Sequence, residues 1–513
     1  MLYLQQTIVH FDINIRICTY MKGGNCMIKN YKKLFLSFGA AAVLSSAAAF
    51  SSLAASGGWV SENGVWKYQE ASGNYAYNTW KTSGDNSYYL DNNGVIAVNQ
   101  WIDDTYYVDG DGVMAKNSWI QLSEDTSQKK AGWYYVDAKG KLIKDKWSTI
   151  GDKKYAFDSD GKMRTGWFFD NDDIYYLGDN GYAKTGWLCL DYDEDNKPDD
   201  GTISEIRTSA SDTAKWFYFQ TNGKAKRSKN DSYSAETIGD NKYYFNEDGV
   251  MMTGWVAVKS SAEAGDPTGI SKFVYLGGDD EGIMAKNKWL ELYNHPGDSD
   301  DKDEITTDNS DEAPDEGESN WYYFESDGTP AYLNSKATNM SKATTKVDGN
   351  SYFFNSYGVR QTGLIHVVTS SGKEFTGYFG ENDSDGKMLT GKKSNLSVDG
   401  ETAAYYFSES GSDKGCGYNG SKDDYLYYQG RLVKADSGSD YQVFCVDNKM
   451  YLVNESGKIQ TSSKNYKVNG TWTFKVSGDS IYFIDDDKKS TGKVTSSDAE
   501  SLPEVIYDKE YTL

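Results

Sequence analysis

A chain of 513 residues would ordinarily hold about three globular domains, yet this one is thin in the usual core formers. It carries 41 Tyr, 20 Phe, 14 Trp and 51 Gly against six Pro, and that wealth of aromatics excludes a disordered polypeptide. The formal net charge of −23 excludes the basic patches of a nucleic-acid binder and suits a soluble protein outside the cell.

In chain order, the first informative segment opens at Met27. Lys29, Lys32 and Lys33 form a positive start, Leu34 to Phe50 is apolar, and Ser52-Leu53-Ala54 supplies small residues for cleavage. Residues 27–55 are therefore predicted to be a secretory signal peptide, and residues 1–26 an upstream extension. No later segment reaches the roughly 18 apolar residues of a bilayer span, so no transmembrane segment is expected in the exported chain. Cys18 and Cys26 precede the export point. Cys189, Cys416 and Cys445 remain, an odd set without metal-ligand spacing and with one candidate bridge, Cys416–Cys445.

Residues 56–290 are built from a repeat of about 20 residues, clearest at Trp147, Trp167 and Trp187. Each copy has a Trp, an aromatic run such as Tyr88-Tyr89-Leu90 or Tyr106-Tyr107-Val108, and an Asp/Asn/Gly turn such as Asp91-Asn92-Asn93-Gly94. Such turns predict that the following segment returns antiparallel to the aromatic run as a β-hairpin. A lone hairpin is marginal in water, so its rings must be buried on the next copy. The expected fold is all-β, a solenoid or superhelical array of stacked hairpins, in which each unit packs on its neighbours.

Polar insertions interrupt the array at residues 121–131 and 191–215. The second contains DYDEDNKPDDG, where Asn196 and Thr202 stand at the Gly and Glu positions of a calcium-binding EF loop, so a solvated acidic loop is expected. Residues 291–320 are dominated by Asp, Glu, Ser and Gly and are expected to form a mobile acidic loop. Repeats resume over residues 321–390. Residues 391–513 keep the hairpin rhythm in AYYFSES, LYYQGRLV, MYLVNESGKIQT and IYFIDDDKKSTGK, but lose the Trp beat except at Trp472.

The unit seen in TIGDKKYAFDSDGKMRTGW (149–167), TGWFFDNDDIYYLGDNGYAKTGW (165–187) and TIGDNKYYFNEDGVMMTGW (237–255) resembles the cell-wall-binding repeats of Gram-positive bacteria. That family includes choline-binding repeats of surface proteins and is similar to the glycan-binding repeats of clostridial toxins. The resemblance implies ligand sites in clefts between consecutive hairpins, where aromatic boxes hold a quaternary ammonium through cation–π attraction.

Two sets of rings are the candidate ligand-binding residues. One is the repeat-boundary tryptophans Trp80, Trp101, Trp119, Trp147, Trp167, Trp187, Trp255 and Trp289. The other is the second aromatic of each run, Tyr89, Tyr107, Tyr135, Tyr176, Tyr218, Tyr244, Tyr275 and Tyr323, which lies on the same strand face as the leading residue. The leading residue is Trp133, Trp216 or Trp321 in three copies. It is Ser87, Thr105, Lys154, Ile174, Lys242 or Ser351 in six others, which leaves those boxes incomplete.

Catalysis has little support. There is no nucleophile elbow, metal-spaced His/Cys cluster or phosphate loop, and no cofactor is expected. The resemblance therefore implies a secreted, non-catalytic protein of the cell wall and surface. It would bind choline-bearing teichoic acid or another wall polymer, the alternative being a lectin-like adhesin for host or dietary glycans.

Overall fold

The computed structural model describes residues 57–229, 233–259, 269–293, 295–296, 318–380 and 385–513. The signal peptide and upstream extension, and most of the acidic 291–320 segment, lie outside the described residues. The chain divides into two compact units, one ending at Ala115 and one beginning at Lys116.

In both units the element is a two-stranded antiparallel hairpin. The first unit holds Gly58–Glu62 with Val65–Gln69, Thr79–Ser83 with Asn86–Leu90, and Gln100–Ile102 with Tyr106–Val108. The second continues with Ser118–Leu122 and Gly132–Val136, Lys146–Ile150 and Lys153–Phe157, and Trp167–Asp170 and Asp173–Tyr176. Strand Gly186–Asp191 pairs with Ala214–Phe219 and also with the short Ile206–Arg207 of the second insertion.

The hairpin is phased differently from the sequence expectation. Each Trp begins the first strand, and the tight turn falls between Trp and aromatic run rather than after the run. Asn63-Gly64 makes one such turn with both residues at positive φ (52° and 82°). Those values meet the type I′ requirement and suit the strand twist. The Asp/Asn-Gly turn after the run closes on a single bridge, as in Leu90↔Ile96, Val108↔Met114, Val136↔Leu142 and Phe157↔Met163. Its first residue staples it: Asp158 Oδ1 accepts the backbone N–H of Asp160 (3.0 Å) and Lys162 (2.8 Å), a local Asx arrangement.

After that turn the chain does not extend its own sheet; it reaches back one repeat. The N–H of Ile96 donates to Trp66 O, Met114 to Ser87 O, Met163 to Trp133 O, Ala183 to Lys154 O, Ala225 to Ile174 O and Met251 to Trp216 O. The acceptor is always the carbonyl of the leading residue, whatever its side chain. Backbone hydrogen bonds thus tie repeat to repeat, which is why Ser, Lys and Ile can stand at that position without breaking the array. The turn glycine also seats against the previous repeat. A Cβ at Gly181 would lie 2.3 Å from Met163 Cε, so Gly and the preceding Met interlock.

The C-terminal region is more elaborate than a row of hairpins. Gly391–Val398 opens a five-stranded sheet, and Asn465–Val468 opens a four-stranded one. The last strand, Lys509–Thr512, runs parallel to Gly363–Val368 and completes a three-stranded sheet. Cys189, Cys416 and Cys445 are free thiols, so the candidate Cys416–Cys445 bridge is not formed.

Candidate functional site: aromatic clefts between repeats

The register places each Trp directly opposite the second aromatic of its own hairpin: Trp80↔Tyr89, Trp101↔Tyr107, Trp119↔Tyr135, Trp187↔Tyr218 and Trp289↔Tyr323. Their ring centroids lie 5.2, 5.2, 5.1, 5.1 and 5.2 Å apart. The ring that completes the contact between repeats is the first aromatic of the next run, which is not among the candidates named from the sequence. Tyr88 packs on Trp59 (5.2 Å), Tyr106 on Trp80 (5.4 Å), Tyr155 on Trp119 (4.9 Å), Tyr175 on Trp147 (4.6 Å) and Tyr243 on Trp187 (4.8 Å). Tyr322 does so on Trp255 (5.1 Å) and Tyr352 on Trp289 (4.8 Å). A usable signal was present. In KYYF, WYYF and SYFF the ring after the leading residue and the final Phe share one face, and a face made wholly of rings is the one that stacks on a neighbour.

Three walls come together where the leading residue is also Trp. Trp119 meets Trp133 at 6.2 Å and 88°, and Tyr155 closes the third side at 66°. Trp133 is 38% exposed, so this cleft is open to solvent. Trp187 repeats the arrangement with Trp216 at 6.4 Å and 82° and Tyr243 at 59°. Here Trp216 Nε1 donates to Asp280 Oδ1 at 2.8 Å, and the same oxygen accepts the Ala210 N–H at 2.6 Å. The Trp216 hydrogen bond, followed by that backbone donor, holds the Asp280 carboxyl below the usual carboxylate range. The indole plane is therefore fixed by a charged acceptor. In the first unit Trp59 and Trp66 share a face, and Trp66 is 45% exposed.

Other candidate residues sit differently. Trp167 and Tyr176 are both 1% exposed and lie in a core with Ile174, Tyr192, Phe217 and Phe219. The 191–215 insertion covers them: Trp167 Nε1 donates to Ser204 Oγ at 2.9 Å, and Tyr176 Oη donates to Ser204 O. Trp101 (2% exposed) and Tyr244 (7%) are also buried, so these four rings offer no face to a ligand. Trp255 and Tyr275 pack at 5.4 Å against a cluster containing Tyr322 and Phe324. Trp80 has Ser87 beside it and only two ring walls. At Trp147 and at the Trp289–Trp321 pair, a side chain of the protein itself lies over the rings. Lys154 Nζ is 4.3 Å from the Trp147 centroid, and the Arg360 guanidinium carbon is 5.8 Å from Trp289 and 5.5 Å from Trp321.

The acidic insertion is self-satisfied. Asp191 pairs with Arg207 (Oδ2 to Nη2, 2.8 Å), and Asp193 accepts the backbone N–H of Asp195 and Asn196. Among the described residues no group of three or more His, Cys, Asp or Glu is placed to hold a metal ion.

The molecule is thus an array of hairpin repeats with aromatic clefts at the repeat junctions, some open and some filled. Choline-binding repeat models match residues 74–113, 95–141 and 233–264, and a putative cell-wall-binding repeat model matches residues 165–183 and 316–329. Over those stretches the chain carries repeats of the choline-binding, cell-wall-binding kind. No match to a curated protein sequence is found.

Solved structures with similarity include the modular autolysin LytC of Streptococcus pneumoniae in complex with a synthetic peptidoglycan ligand (18% identity, 61% of this chain, 55% of that one, TM-score 0.33). Choline-binding protein F of S. pneumoniae, solved with ipratropium, is 18% identical over 74% of this chain and 99% of its own, with TM-score 0.27. CbpJ of S. pneumoniae is 20% identical over 74% of this chain and 100% of its own, also with TM-score 0.27. The chain spans about half the length of the autolysin.

Proposed function

We propose that this is an exported, non-catalytic protein held on a bacterial cell wall by choline-bearing polymer. The observation that carries the reading is the near-perpendicular Trp119–Trp133 pair with Tyr155 on its third side, open to solvent at Trp133, and the same three-ring arrangement at Trp187, Trp216 and Tyr243. A trimethylammonium group has no N–H to donate. Ring faces on three sides satisfy it by cation–π attraction where a hydrogen-bonding pocket could not. A pyranose would be better served by one flat exposed ring ringed by donors and acceptors, which favours choline over the glycan reading. The net charge of −23 adds a long-range pull on cations. Several weak clefts on one chain would act together on a polymer that displays many cholines, raising avidity without any single tight site.

The test is release of the protein from its native cell wall. Free choline at millimolar concentration should elute it, and an equal concentration of sodium chloride should not. Retention in choline, together with elution by a soluble glycan, would replace this reading with the adhesin. Clearing of cell-wall substrate in a zymogram would show that the chain is an enzyme.

A further inference from the structure

Two junctions have rings in position but are filled from within. At the first, Lys154 stands at the leading position that Trp133 and Trp216 occupy in the open clefts. Its Nζ lies 4.3 Å from the Trp147 centroid and 5.4 Å from the Tyr175 centroid, and donates to Asn222 O at 3.0 Å. The ammonium therefore lies over the same two rings, Trp of one repeat and first Tyr of the next, that bound an open cleft. Trp147 is pinned in turn by its Nε1 donating to Asp170 Oδ2 at 3.1 Å. Burial, then the neighbouring Lys224 charge, pulls the Lys154 pKa down, as a group inserted into a cleft requires. At the second junction the Arg360 guanidinium lies over both Trp289 and Trp321, the two tryptophans that would wall a third open cleft.

We propose that Lys154 and Arg360 are built-in occupants of these two clefts, placing the protein's own cations where a ligand cation would bind. They thereby decide which junctions take ligand. The inference rests on reading the clefts as cation sites. A cation tethered by one side chain competes at high effective concentration, so the apparent dissociation constant of the rings is the intrinsic one divided by the small fraction of time the cleft stands open, and binding weakens accordingly. The array then has clefts of two kinds made from one repeat: ligand-competent at Trp119 and Trp187, self-satisfied at Trp147 and Trp289.

The experiment is calorimetric titration of the full exported chain with choline chloride, comparing wild type with Lys154→Ser, Arg360→Ser and the double variant. Ser already occupies the leading position at Ser87 and Ser351, so the Lys154→Ser backbone contact to Ala183 is retained. Lys154→Arg, which keeps a cation, serves as the control. Arg360→Ser, which leaves the three rings Trp289, Trp321 and Tyr352, is expected to add about one equivalent of bound choline; Lys154→Ser, which leaves Trp147 and Tyr175 with a Ser as at Trp80, is expected to add a weaker one, the two gains additive in the double variant and absent in the control. Stoichiometry unchanged in all variants, while Trp133→Ala removes an equivalent, would overturn the inference and leave the cation reading standing. Failure of wild type and variants alike to bind choline would overturn both. Should Arg360→Ser not fold, crystals of the wild-type protein soaked in choline give the same answer. Choline between Trp119 and Trp133 but not over Trp147 or Trp321 is expected, and choline over Trp147 would contradict the proposal.

Discussion

The Trp119 and Trp167 junctions are built from the same repeat and end in opposite states. Both tryptophans begin a strand, face the second ring of their own hairpin, and receive the first ring of the next run. At Trp119 the leading residue is Trp133, and solvent reaches the cleft. At Trp167 the leading residue is Ile174, 6% exposed, and the 191–215 insertion brings Tyr192 and Ser204 over the indole. The shared rings therefore hold the array together, while the leading position and whatever lies above it decide whether a ligand can enter.

That contrast can be broken from either side. The largest effect is expected from Trp167→Ala, which should cost about 3–5 kcal/mol in urea unfolding while leaving choline binding at Trp119 unchanged. A loss of only a few tenths of a kcal/mol would show that the sealed junction is not a core. Gly166→Ala should cost about 2–3 kcal/mol. Its φ is +67°, and a Cβ there would lie 2.2 Å from the Thr202 carbonyl oxygen, backbone that cannot swing away. Thermal melting reads this directly, and an unshifted midpoint would mean the insertion is not docked on Trp167.

On the open side the effects move from stability to binding. Trp133→Ala removes a half-exposed wall, so unfolding should change by less than about 1 kcal/mol. Choline affinity at that cleft should fall about tenfold, a 1.4 kcal/mol loss of cation–π contact. The smallest effect is expected for Asp280→Ala. Trp216 would keep its place in the strand but lose the acceptor that fixes its plane, and choline binding at Trp187 should weaken a few-fold. Equal binding in wild type and variant would show that the strand alone orients the ring.

Much of this was legible in the residues. The 20-residue beat, the tryptophans and the paired aromatics were sufficient for an all-β hairpin array. The phase of the hairpin was not. The Asp/Asn-Gly turn is the more conspicuous signal, yet the Gly151-Asp152 turn ahead of Lys153-Lys154-Tyr155 is the one that joins paired strands. Assigning the cleft to the second ring instead of the first followed from that phase. Other features were out of reach because they depend on distant contacts. Ser204 reaches Trp167 across 37 residues, and Lys509–Thr512 pairs with Gly363–Val368. The departure of Lys154 from the aromatic pattern was visible as a missing wall; that its ammonium fills the gap depends on the fold, which brings Trp147 and Tyr175 beneath it.

The central claim is that open junctions take a quaternary ammonium on ring faces. Titration of the exported chain with choline, followed by Trp fluorescence, tests it most directly. The prediction is a saturable change at millimolar choline, matched by tetramethylammonium and much weaker for ammonium chloride, whose N–H groups stay better satisfied by water. An unchanged spectrum with choline, or an equal response to ammonium chloride, would contradict it.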